Sequence, residues 1–194
     1  MGCCGPKAPA KPQADRLTPT TTRLVADNAA LHDLCDKLAD APTLVVDTEF
    51  HAERRYAPEL LLVQLGTPDD GTVWVVDATS VDLAGLHAVL DQKVWLAHGA
   101  SQDIAILHRV LGVCPSRLLD TQILGALTGL NFPARLDHLC ESVLGTAPDK
   151  SSSLSDWAQR PLSATQLAYA ASDVAVLPPL WRALHAQLLE LGPE

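Results

Sequence analysis

The segment TLVVDTEF at residues 43–50 decides the fold, because it joins a continuous apolar run to two carboxylates. Such a run is typical of a buried strand, and residues two apart on a strand project from the same face. Asp47 and Glu49 are therefore expected side by side. Neighbouring carboxylates repel each other and are costly to desolvate unless a cation lies between them. The alternative is that the strand ends at Asp47 and both acids are solvated.

The hydrophobic pattern predicts further elements on both sides of this strand. Apolar runs and turn residues predict strands at 60–66, 72–77 and 94–97. Helical periodicity and caps predict helices at about 27–38, 83–90, 102–111, 120–128, 135–144, 154–159 and 163–190. Pro178 and Pro179 should kink or break the last helix. This order predicts an α/β domain in which helices cover a mixed sheet.

Length and composition restrict the class of protein. The chain has 194 residues, which is enough for one domain with at most a small appendage. Residues 1–20 are rich in proline and alanine and are expected to form a disordered tail, which leaves 21–194 as the folded domain. The net charge of −9 argues against a protein coated with basic residues for gripping duplex nucleic acid. An enzyme whose acidic residues hold cations is still compatible with that charge.

Cysteine usage and hydropathy indicate the compartment. The five cysteines form no C-x-x-C pair, so a reducing, cytoplasmic setting fits better than a disulfide framework. No apolar run approaches the ~20 residues that span a bilayer, and residues 1–16 lack the apolar core of a signal peptide. We therefore expect no membrane partner.

Two more acidic residues stand where α/β folds place functional groups. Asp103 follows the strand predicted at 94–97, and such strand-to-helix junctions bind ligands in open α/β sheets; the helix dipole alone also favours an acid there. Tyr169 and Asp173 are four residues apart and share one helix face. A buried aspartate on that face needs a partner, which a metal would supply. The alternative is an exposed aspartate beside a core tyrosine.

Three segments together resemble the exonuclease motifs of ribonuclease D: residues 46–50, 98–103 and 169–173. The runs at 55–65, 119–124 and 149–163 are similar to other segments of that family. A single Asp-x-Glu is weak evidence, but the ordered set is specific. The resemblance extends from about residue 22 to residue 186.

The resemblance implies the DnaQ-like, ribonuclease H-like exonuclease fold of the DEDD superfamily, with a mixed five- to six-stranded sheet flanked by helices. It also implies four acidic ligands for two divalent cations, Mg²⁺ or Mn²⁺, namely Asp47, Glu49, Asp103 and Asp173. Asp47 would bridge the two ions, and Asp103 would support the second. Tyr169, four residues before Asp173, marks the tyrosine subclass and would orient the attacking water.

Substrate contacts are expected at four further positions. Thr48 and Phe50 flank the acids, and Phe50 can stack on a base or belong to the core. His98 can contact a phosphate or the 3′ end, or can be a satisfied junction histidine. Lys150 can form a local basic spot.

The leading interpretation is a metal-dependent 3′→5′ exoribonuclease that releases nucleoside 5′-monophosphates from RNA 3′ ends or short oligoribonucleotides. The alternatives are an exonuclease acting on single-stranded DNA and a non-catalytic nucleic-acid-binding module. Full-length ribonuclease D carries helical nucleic-acid-binding domains after the catalytic one, and no such domain is expected here. The compact form resembles nanoRNase C, whose relatives assemble into rings, so a homo-oligomer is a further expectation.

Overall fold

The computed structural model describes residues 20–52, 56–148 and 155–192. The strands are β1 (Thr21–Val25), β2 (Thr43–His51), β3 (Glu59–Gly66), β4 (Thr72–Asp77), β5 (Val94–Ala97) and β6 (Arg117–Asp120). The α-helices are α1 (Asn28–Leu38), α2 (Leu86–Leu90), α3 (Ser101–Leu111), α4 (Thr121–Leu127), α5 (Leu136–Leu144), α6 (Ala164–Ala175) and α7 (Leu177–Leu191), and a 3₁₀ turn at Leu83–Gly85 precedes α2.

The six strands form one mixed sheet in the order β1-β4-β3-β2-β5-β6. β2 lies inside the sheet, antiparallel to β3 and parallel to β5. β1 and β6 are the two edges, each parallel to its neighbour. The predicted mixed sheet is therefore confirmed, and its acid-bearing strand is central.

Helices cover both faces of the sheet. Alternate residues of β2 point to opposite sides and therefore pack against different helices. Val46 packs with leucines of α1, α2 and α3 in the largest core cluster. Val45, on the other face, packs with Ala171 and Val174 of α6 and with Leu177 of α7. α4 and α5 complete that second layer by packing against α7. Asp47 shares the Val45 face and therefore lies under the second layer.

The structure differs from the sequence predictions at the two edge strands and at one helix. β1 and β6 were not predicted, because four of the five β1 residues are exposed and β6 has only four residues, too short a run for a periodic signal. The helix predicted at 154–159 is wrong for the described residues from 155 onward, which form turns. The helix predicted at 163–190 is divided at Val176, with prolines in the first turn of α7, as the proline rule anticipated.

The turn after residue 155 is held by an ion pair between Arg160 and Asp77 at the end of β4. Arg160 donates from Nε to Asp77 Oδ2 at 2.5 Å and from Nη2 to Oδ1 at 2.7 Å, a bidentate geometry. Burial of Asp77 opposes ionisation, but hydrogen bonds from Arg160, Thr79 and Ser80 outweigh it and lower the Asp77 pKa to about 2. Arg160 Nη1 also donates to the carbonyl of Trp157 at 2.6 Å, which fixes the backbone as a turn.

In the part of the chain that the structure describes, every helix is too short or too polar to cross a bilayer. The expected tail at residues 1–20 lies outside the described residues except for Thr20.

Candidate active site

Asp47, Glu49 and Asp173 converge at the end of β2. Each offers a carboxylate oxygen, and these oxygens all lie within 4.8 Å of one another. β2 supplies the first two from a single face, and α6 supplies the third from the layer above it. We call these three residues the carboxylate cluster. All three side chains are partly buried, so they remain within reach of an ion.

The carboxylate cluster is electrostatically strained without a cation. Burial and the charges of Asp103, Asp173 and Glu49 raise the pKa of Asp47 well above its usual value. Burial and the neighbouring aspartates raise the pKa of Glu49 to about 8. Burial likewise raises the pKa of Asp173 to about 6, although a hydrogen bond from Tyr169 lowers it in part. Hard oxygen donors crowded in this way suit a divalent cation.

Asp103 lies beside the carboxylate cluster but is not part of it. It is buried in the first turn of α3, and its Oδ1 accepts a hydrogen bond from the hydroxyl of Thr48 at 2.5 Å. Its charge contributes to the raised pKa of both Asp47 and Glu49. The structure thus brings three of the four predicted acids together and places the fourth next to them, held by Thr48. A substrate contact by Thr48 stays a prediction.

Tyr169 lies one helical turn before Asp173 and donates its hydroxyl hydrogen bond to that carboxylate. Burial, followed by the charge of Asp173 and this hydrogen bond, raises the pKa of Tyr169 above its ordinary value. The phenol therefore stays protonated, which makes it a donor rather than a free base. The buried Trp157 packs against it with ring centroids 5.9 Å apart.

An open cleft of about 360 Å³ gives access to the carboxylate cluster, and Tyr169 and Asp173 form part of its wall. His98 lines the same cleft, with Nδ1 paired to the Thr121 hydroxyl at 2.9 Å and Nε2 donating to the Ala134 carbonyl at 3.0 Å. Burial lowers the His98 pKa. Both ring nitrogens thus already have partners, and a substrate contact by His98 stays a prediction.

The remaining predicted contacts lie elsewhere. Phe50 packs against the core and lines a second cavity of about 230 Å³ with Pro58 and Ile106. Stacking of Phe50 on a base stays a prediction. Lys150 lies outside the described residues.

Two residues near the site were not predicted. Asp120 caps α4 and accepts hydrogen bonds from the backbone amides of Gly99 and Ala100 at 2.9 and 3.1 Å, so it fixes the turn that precedes Asp103. Arg135 lines the cleft beside Asp173 and forms an ion pair with Asp137. Asp120 carried a sequence signal, since it begins a predicted helix. Arg135 carried none, because a single exposed arginine has no pattern.

A mixed sheet covered by helices, with carboxylates from its central strand and from an overlying helix meeting at an open cleft, defines a ribonuclease H-like exonuclease domain. The chain belongs to the 3′-5′ exonuclease family, whose sequence pattern matches residues 22–189. Ribonuclease D of Acidiphilium cryptum is 41% identical over 171 residues, which are 87% of this chain and 44% of that protein.

Solved structures agree with this assignment. Escherichia coli RNase D, an exoribonuclease involved in structured RNA processing, superposes with a TM-score of 0.81 at 32% identity, over 89% of this chain and 46% of that one. Brucella melitensis NrnC bound to pGG superposes with a TM-score of 0.72 at 27% identity, over 90% of this chain and 84% of that one. The chain thus spans less than half the length of the curated relative and of the RNase D structure. The predicted fold and family are confirmed.

Proposed function

We propose that this domain hydrolyses the terminal phosphodiester bond at RNA 3′ ends, or in short oligoribonucleotides, and releases nucleoside 5′-monophosphates. The observation that carries the proposal is the carboxylate cluster, whose ligand oxygens lie within 4.8 Å of one another. The family match and the relatives that act on RNA support it. Chemistry at a chain end also suits a domain of net charge −9 that has no basic coat.

Four acids would hold two divalent cations, Mg²⁺ or Mn²⁺. Asp47, Glu49 and Asp173 would hold one, and Asp103 with Asp47 would hold the second. When bound, such ions lower the pKa of a water and offset charge on the leaving oxygen. Carboxylate oxygens favour these hard cations over zinc.

The chain's own groups would prepare the substrate for attack. Thr48 fixes the Asp103 carboxylate through its hydroxyl, and Asp120 fixes the turn before it. Tyr169, protonated and held by Asp173 and Trp157, would orient the attacking water. The cleft wall at His98 and Arg135 would receive the terminal nucleotide.

A digestion series tests the proposed reaction. Matched RNA and DNA oligomers, from dinucleotides to about thirty nucleotides and labelled at either end, are incubated with Mg²⁺, Mn²⁺ or EDTA. We expect 5′-labelled RNA to shorten stepwise with either cation and not with EDTA, because the proposed reaction needs bound divalent ions. The matched DNA oligomers test selectivity for RNA, which would rest on contacts to the 2′-OH. Shortening from the 5′ end, or activity in EDTA, would contradict the proposal; preference for DNA would revise the substrate.

We also propose a cytoplasmic setting and self-association for the domain. The cysteines of the described residues, Cys35, Cys114 and Cys140, are free thiols, which fits a reducing cytoplasm. Self-association into a homo-oligomer would extend the short cleft with neighbouring subunits. Light scattering of the purified chain measures that directly.

Replacing Tyr169 with phenylalanine is expected to slow hydrolysis roughly 10²-fold, because a misplaced attacking water loses that order of rate. The three carboxylates of the cluster remain, but the variant also loses the hydrogen bond that Asp173 accepts, so rates are compared at saturating Mn²⁺. Tyr56, which is fully exposed, provides the matched control Tyr56→Phe. Single-turnover rates and Mn²⁺ titrations of both variants make the test. A Tyr169→Phe rate equal to that of Tyr56→Phe would remove the hydroxyl from the mechanism.

Stabilisation by a divalent cation should be larger at pH 8 than at pH 6. In the metal-free chain the pKa of Glu49 is raised to about 8 and that of Asp173 to about 6. Groups with raised pKa values leave stability intact below their ordinary pKa and reduce it as pH rises through the folded value. The metal-free domain should therefore lose stability between about pH 4 and 8, and Mn²⁺ should restore it. Thermal unfolding with and without Mn²⁺ measures this, and an equal shift at both pH values would contradict it.

A further inference from the structure

Gln64, in the middle of β3, is fully buried, and neither polar atom of its side-chain amide has a hydrogen-bond partner among the described residues. A buried amide without a partner is unfavourable, because it loses its hydrogen bonds to water without replacement. It is the one residue with such atoms in the described part of the chain. An apolar residue at this position would pack the core without that cost.

The strand register places Gln64 directly opposite Asp47, its antiparallel partner on β2. Residues directly opposite each other project from the same face, with Cβ atoms roughly 4.5–5.5 Å apart. This face lies under α6, because Gly66, two residues further along β3, faces Val174. Gln64 therefore lies beside Asp47 on this face, at the β3 side of the carboxylate cluster.

We propose that Gln64 is a positioning residue for the metal site, and that its side-chain amide donates a hydrogen bond to the carboxylate of Asp47 when the site holds a divalent cation. This inference rests on the proposed metal-dependent function. Asp47 is the acceptor that the register selects, because Glu49 pairs with Leu62 and Asp173 comes from α6. On its other side Gln64 pairs with the apolar Val75 of β4, which offers no side-chain donor in its place.

Gln64→Met should lower metal affinity without lowering stability, whereas the loss of a merely structural residue would change both together. Gln64→Met keeps the volume and removes the unpartnered amide, so the metal-free domain should unfold at the same temperature or higher. Removing an outer hydrogen bond to a ligand carboxylate typically weakens metal binding by ~10–100-fold. Leu65→Met is the matched control, because Leu65 is the next residue of β3, is equally buried and faces the opposite layer.

Isothermal titration with Mn²⁺ and thermal unfolding in EDTA are measured on the full chain and both variants. The proposal expects Mn²⁺ affinity to fall about 10–100-fold in Gln64→Met and to stay within twofold of the unchanged chain in Leu65→Met. Affinity within twofold for Gln64→Met overturns the inference alone, because the unchanged chain still binds Mn²⁺ and hydrolyses RNA. Failure of the unchanged chain to bind Mn²⁺ overturns the proposed function and the inference together.

A measurement on the unchanged chain covers the case in which Gln64→Met does not fold. The side-chain amide protons of Gln64, assigned by triple-resonance NMR, should shift on addition of Mg²⁺ more than those of Gln92, which lies between α2 and β5. Gln64 amide resonances that do not respond to Mg²⁺ at saturation would overturn the proposal.

Discussion

Replacing Asp47 with asparagine is expected to reduce Mn²⁺-dependent hydrolysis on the order of 10³-fold or more, because one group of an electrostatic site is typically worth ~10²–10³ and Asp47 would contact both cations. The substitution keeps the shape of the side chain. It also removes a buried carboxylate whose own pKa is raised by burial and by the charges of Asp103, Asp173 and Glu49. The metal-free variant should therefore unfold at a higher temperature than the unchanged domain at pH 8.

The two readouts together distinguish a lost active site from a lost fold. Single-turnover hydrolysis of 5′-labelled RNA measures the first, and thermal unfolding in EDTA measures the second. Asp69, an exposed acid in the turn between β3 and β4, provides the matched control Asp69→Asn. Full turnover by Asp47→Asn would remove Asp47 from the proposed mechanism.

Replacing Arg160 with methionine is expected to lower the free energy of unfolding by roughly 3 kcal/mol, the lower end of the range for breaking a buried ion pair. The lower end applies because the Arg160 side chain is 26% exposed, whereas Asp77 is 4% exposed and would be left without its cation. The substitution should also disturb the candidate active site. Arg160 holds the backbone of Trp157, and Trp157 packs on Tyr169.

The loss of unfolding free energy in Arg160→Met should be larger at neutral pH than in acid. The fold lowers the Asp77 pKa from 3.8 to about 2, so the ion pair stabilises fully above pH 4 and less as pH falls through 2. Urea unfolding at pH 7 and near pH 2 should show a large difference between the unchanged domain and Arg160→Met that shrinks in acid. Arg182→Met, at an exposed arginine, is the control. A difference that stays constant with pH would show that Asp77 is not the partner that matters.

Local sequence patterns were sufficient for much of the fold. The apolar run ending at Asp47 is a strand in the structure, and the helix expected at about 27–38 is α1, whose cap Asp27 accepts from the Ala30 amide at 2.8 Å. The edge strands β1 and β6 left no such pattern. A strand with one neighbour and little burial needs no alternation of apolar and polar residues, so pairing with β4 and β5 defines them.

The segment after residue 155 shows why a local prediction can be wrong. Its composition suits a short helix, but its conformation depends on Arg160 and on Asp77, which lies 83 residues earlier. A bidentate ion pair with a buried acid outweighs the small differences in helix propensity. The same limit applies to Thr48, because no local pattern indicated that its hydroxyl holds Asp103.

The chemistry of the site was determined by the sequence itself, because residue type and local spacing are sufficient for it. Acids two apart on a strand, and a tyrosine and an aspartate four apart on a helix, share a face in any fold that contains those elements. Only the tertiary structure decided that Asp173 meets Asp47 and Glu49, that Asp103 stays beside them, and that a buried amide at Gln64 lies opposite Asp47 on the next strand. Those relations depend on strand register and helix packing between distant segments, which local periodicity does not encode.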